Sequence, residues 1–174
     1  MDEENKKTGE SCRKEDKTCL ENMKKEYEEF RKKYDLPSFN KLNEDFYIEK
    51  SADVETDFLL REIRRSVSDK LVNYLRFFEA FMNPSTAPVF IHSIVKTFDE
   101  KSKSIVKETY GKLSKREVEL IDLDLEYDEK KEAEFIKSVE KEWDEIKKEI
   151  KEVLKTINKN WNTKSETNNK NYFG

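Results

Sequence analysis

The residues in this chain best suited to chemistry are its arginines. Lysine carries nearly all of the positive charge, and arginine stands only at positions 13, 31, 61, 64, 65, 76 and 116. Three of these fall between Arg61 and Arg65. A solvated helix face in so lysine-rich a chain needs no arginine, whereas a planar guanidinium fork suits a carboxylate or a phosphate. Arg61, Arg64, Arg65 and Arg76 are therefore candidates for an anion- or partner-binding face.

A helical wheel at about 100° per residue sharpens the choice. Arg64 falls within the apolar arc of Leu60, Val67, Leu71, Leu75, Phe78 and Met82, beside Ser68. A guanidinium there is partly buried and needs a partner, because breaking a buried pair costs about 3–5 kcal/mol. Asp124 and Glu117 lie in or near the apolar arc of a later helix, which makes them the candidate ion-pair partners. Arg61 and Arg65 fit local pairs with Asp57 and Glu62 at helical spacing.

Other chemistries find little material. A single histidine, His92, cannot supply the two Glu-x-x-His motifs of a diiron bundle or a histidine-rich zinc site. No glycine-rich phosphate loop, nucleophile elbow or Cys-His spacing is present. The carboxylates Asp122, Asp124 and Glu126 have the chemistry for Mg²⁺, but acid runs in such a chain are mainly solvated faces. No cofactor and no metal are expected. Cys12 and Cys19, seven apart, would sit about 10 Å apart along a helix, beyond the roughly 7 Å that a disulfide spans. They read as reduced thiols.

The elements that must position these residues are helices. The 174 residues are 43% charged and 34% hydrophobic, with three glycines and three prolines, a composition of helical bundles rather than short-stranded sheets. Charges nearly cancel, 35 basic against 39 acidic, so no global basic field favours nucleic acid. No apolar run approaches a membrane span and no signal-peptide pattern is evident, which implies a cytoplasmic protein without membrane association.

A thin stripe of Leu20, Met23, Tyr27, Phe30 and Tyr34 marks a first helix, ended by Leu36-Pro37. Ser38 can cap a short second helix carrying Phe39, Leu42 and Phe46. The central helix is expected from Asp53, with acids in its first turn, to Met82 before Asn83-Pro84. A helix over about 87–98 is apolar on most of its surface and should be buried on several sides. Asp99 opens another, with Gly111 as its weak point and Ser114-Lys115-Arg116-Glu117 fitting a capping box where it resumes.

The segment from Ile121 to Asp128 alternates apolar and acidic residues as a strand does. With no second such run to pair with, it is assigned to helix. Asp128 then caps a long last helix with the cleanest heptad seam: Val139, Trp143, Ile146, Ile150, Val153 and Ile157, preceded by Ile136. Phe135, Leu154 and Trp161 widen it toward bundle rather than two-stranded coiled-coil packing.

The expected architecture is all-α, an irregular bundle of five to six helices with a long C-terminal heptad-patterned helix. Residues 17–161 form one domain between a disordered segment, 1–16, and a flexible polar tail, 162–174, which carries a possible docking pair, Tyr172-Phe173. The fragment Glu44-Asp45-Phe46-Tyr47 ahead of a basic amphipathic helix resembles the helical part of GINS replication-complex subunits. It spans only a few residues, lacks their small β domain and assigns no family.

The leading expectation for function is a non-enzymatic adaptor or assembly subunit, binding a partner protein or a second copy through amphipathic helix faces. Nucleic-acid binding through Arg61–Arg65 is the alternative, and a small-anion-binding enzyme ranks third.

Overall fold

Apolar residues recurring every three or four positions wind this chain into helices wherever proline or a cap does not stop them. The computed structural model describes the backbone over 4–54, 56–84 and 87–168, and side chains from Thr18 to Lys159 apart from 55, 85 and 86. Cys12, Trp161 and the pair Tyr172-Phe173 lie outside the residues whose side chains are described. The described chain is all-α, with no strand. Its helices are α1 (Glu4–Tyr34), α2 (Phe39–Phe46), α3 (Leu59–Met82), α4 (Val89–Val95), α5 (Glu100–Leu125) and α6 (Glu129–Asn168). A 3-10 helix, Ile48–Asp53, lies between α2 and α3.

Capping explains several boundaries. The Ser38 hydroxyl accepts the Lys41 amide at 3.3 Å at the start of α2, and Asp99 accepts the Ser102 amide at 2.8 Å at the start of α5. Asp128 Oδ1 accepts the amides of Lys130 and Lys131 at 2.9 and 3.1 Å, opening α6. Each satisfies donors that the first turn of a helix leaves unpaired. Asp35 closes α1 in the left-handed region, φ 54°, as the Leu36 amide returns to the Arg31 carbonyl at 3.2 Å.

The central helix starts at Leu59, not Asp53. Ile48 and Ser51 are buried, and the Ser51 and Ser66 hydroxyls meet at 3.3 Å, so the preceding chain is pinned as a separate 3-10 turn. α5 runs unbroken through Gly111 and Ser114, because one glycine in a long packed helix costs only about 1 kcal/mol. α4 is not enclosed: Ile91 and Ile94 are buried, but Val89 is 83% and Phe90 51% exposed. Met82 and Leu154 are likewise exposed instead of closing their seams.

The chain divides into two compact units interleaved in sequence, 1–70 with 120–141 and 71–119 with 142–174. In the first, Tyr27, Leu42, Ile48, Leu60, Ile63 and Ile136 are fully buried. The Tyr27 hydroxyl donates to the Pro37 carbonyl at 2.8 Å, and along the α1 stripe Met23 and Tyr27 are buried while Leu20, Phe30 and Tyr34 are half-buried. In the second, Trp143, Phe78, Leu113 and Ile146 are enclosed, and Phe81 packs on Phe98 with ring centroids 5.5 Å apart. Burying such side chains contributes about 1.5–3 kcal/mol each.

Candidate functional site

In the first unit, Arg64 sits one turn along the buried stripe from Leu60 and is 2% exposed. Its Nε donates to Glu132 Oε2 at 2.9 Å, and its Nη2 donates to Asp124 Oδ1 at 2.7 Å. Helices α3, α5 and α6 thus each supply one member of the cluster. The Ser68 hydroxyl donates to the Arg64 carbonyl at 2.7 Å, which removes the polar burden of a buried serine beside it. Burial alone would lower the Arg64 pKa, but the bonds to Glu132 and Asp124 outweigh it and the net shift is upward. The guanidinium is a permanent cation.

Arg61 does not form the expected pair with Asp57. It turns toward Glu132, with Nε 3.7 Å from Oε1, and its guanidinium lies 4.8 Å from the Tyr127 ring centroid and 5.6 Å from that of Phe58. The two rings meet edge to face at 4.6 Å. The aromatic faces attract the cation, and the longer distance leaves Glu132 Oε1 without a hydrogen bond. Burial, followed by the charges of Glu129 and Glu132, raises the Tyr127 pKa.

Arg65 is exposed and pairs with Glu62 at 2.7 Å on its own helix. Arg76 is exposed and belongs to the second unit, as does Glu117, also exposed. The candidate anion face therefore does not converge: Arg64 is turned inward on two carboxylates and Arg65 outward.

Glu132 escaped the sequence reading although its signal was present. It lies four residues before Ile136, so it extends the α6 stripe in perfect register. Its side chain is 0% exposed, and an acid on a buried stripe is the natural counterpart of an arginine on another.

Arg116 was missed in the same way. In α5 the buried positions are Ser102, Val106, Thr109, Leu113, Arg116, Leu120 and Leu123, spaced four and three in alternation. The expected break at Gly111 and Ser114 hid that register. Arg116 pairs with Glu119 at 2.5 Å and Glu142 at 2.8 Å. Burial opposes its charge, and these carboxylates raise its pKa overall.

The α6 seam is occupied from within the chain. Val139, Trp143, Ile146, Ile150 and Val153 are each at most 5% exposed, and Ile157 is half-buried. Tyr74 covers Trp143 with ring centroids 5.9 Å apart. Apolar surface left in water lies elsewhere, on α5 at Val118, Ile121 and Leu125 and on α4 at Val89 and Phe90.

Among the described residues, no group of three acids, cysteines or histidines could hold a metal ion, and no helix is long and apolar enough to cross a membrane. Cys19 is a free, exposed thiol and His92 is half-buried. Compared with known proteins, the chain matches no family model, no curated protein and no solved structure.

Proposed function

We propose that this protein is a non-enzymatic cytoplasmic adaptor or assembly subunit that binds a partner protein through outward helix faces. The observation that carries the reading is the pair Ile121 and Leu125, 61% and 80% exposed one turn apart on α5. Scattered exposed apolar residues are ordinary. Two at i,i+4 on the outer side of a helix whose inner side is already packed form a ridge that association would cover. The α6 seam is largely buried within the chain, so support for the reading comes from this ridge and not from that seam.

The arginine face offers less support for nucleic-acid binding. Phosphate contact needs free cationic forks, and Arg64 spends its fork on Glu132 and Asp124.

A photo-crosslinking residue at position 121, compared with one at exposed Lys107, tests the reading in cells. Discrete protein adducts are expected at 121 and not at 107. No adduct at 121 above the control would sink it.

A further inference from the structure

The face that holds Ile121 and Leu125 is bordered by carboxylates. At about 100° per residue, Ile121 and Leu125 lie about 40° apart around α5. Asp122 comes next on one side and Asp124 on the other, while Leu123 points into the core at 5% exposure. The Asp122 and Asp124 side chains are 69% and 61% exposed, and Glu126 follows, also exposed.

Each flanking aspartate has one cation near it. Lys131 Nζ stands 3.6 Å from Asp122, and the charge of Arg64 is shared with buried Glu132. The last turn of α5 holds no basic residue, although the negative end of a helix dipole favours one. An apolar ridge, flanking carboxylates that stay largely exposed and a helix C-terminus with no basic residue of its own together define what complements them.

We propose that this face docks a basic amphipathic helix of a partner protein, a reading that rests on the adaptor role above. The partner's apolar stripe would cover Ile121 and Leu125, and its lysines or arginines would reach Asp122, Asp124 and Glu126. A second copy is disfavoured, because a two-fold pairing of this face sets carboxylate against carboxylate. Nucleic acid and anionic lipid are repelled by the same charges.

The test uses the full chain and a designed helical peptide of leucine and lysine in amphipathic register, with a leucine and glutamate peptide as control, titrated by fluorescence anisotropy. The Leu/Lys peptide is expected to bind and the Leu/Glu peptide to show no binding. The double variant Ile121→Asn, Leu125→Asn should weaken binding at least about tenfold, the loss of about 1.4 kcal/mol. Asp122→Asn with Glu126→Gln should also weaken it and flatten its salt dependence. All four residues are exposed, and circular dichroism verifies that the variants fold.

Failure of the Leu/Lys peptide to bind, equal binding of both peptides, or indifference to the ridge variants overturns the proposal. So does concentration-dependent dimerisation that the Ile121→Asn, Leu125→Asn variant abolishes, which assigns the face to a second copy. Protein adducts at position 121 without Leu/Lys binding would reject the basic helix alone; absence of adducts would reject the adaptor reading itself.

Discussion

Among the described residues, each compact unit contains one buried arginine held by two carboxylates, yet the two arrangements differ in what surrounds the acids. Arg64 bonds to Glu132, whose side chain is 0% exposed, and to Asp124. Arg116 bonds to Glu119 and Glu142, with side chains 35% and 46% exposed. The cations are nearly equally buried, so the difference lies with the anions. Water can hydrate Glu119 and Glu142 if Arg116 is lost, whereas Glu132 has only protein around it. A buried ion pair matters most through what remains when one partner leaves.

The largest expected effect follows directly. Arg64→Met strands Glu132 and should cost about 3–5 kcal/mol of stability, read from chemical denaturation. Adding Glu132→Met should recover most of that loss, since both charges then leave the core together. A double variant no more stable than Arg64→Met would refute the role given to Glu132.

Arg116→Met should cost less, about 1–2 kcal/mol, because its carboxylates regain water. A loss equal to that of Arg64→Met would erase the contrast between the units. Arg65→Ala, which breaks only the exposed pair with Glu62, should change stability by about 0.5 kcal/mol or less. A loss above about 1 kcal/mol would show that exposed pairs matter here as much as buried ones.

The pH dependence sharpens the contrast from another side. Hydrogen bonds from Lys33 and Tyr34 hold the Glu129 carboxyl below its usual range, and Lys112 does the same for Glu145 in the second unit. With folded pKa values depressed, the unfolded chain binds more protons in acid, so this stabilisation is present above the ordinary carboxylate pKa of about 4.3 and lost as pH falls below it. Burial, ahead of neighbouring charges, raises the Tyr27 pKa. The unfolded chain therefore ionises first above about pH 10, and stability falls there too. Thermal melts across pH should show both flanks. A flat acid flank in a Glu129→Gln, Glu145→Gln variant would identify those two as its source, and an unchanged flank would exclude them.

The sequence alone determined that the chain is helical, where most caps lie, and that Arg64 belongs to a buried surface. These are local consequences of three- and four-residue spacing, side-chain capping and the scarcity of glycine and proline. It also named Asp124 as a partner, but from an apolar arc through Ile121 and Glu117 that the structure leaves exposed; Asp124, its side chain 61% exposed, reaches Arg64 from beside buried Leu120 and Leu123. Tertiary structure alone decided which carboxylate would fill the other edge of Arg64. Pairing across 68 positions depends on how helices stack, which spacing within one helix cannot state.

The alternating run around Ile121 shows the same boundary. On a helix that alternation sends Leu123 inward and Ile121 with Leu125 outward, since 100° steps separate neighbours and reunite residues four apart. Sequence could assign the helix; only packing decided which side of it the rest of the chain covers. That choice leaves the ridge on α5 in water and closes the seam on α6, because apolar surface is buried where another element reaches it.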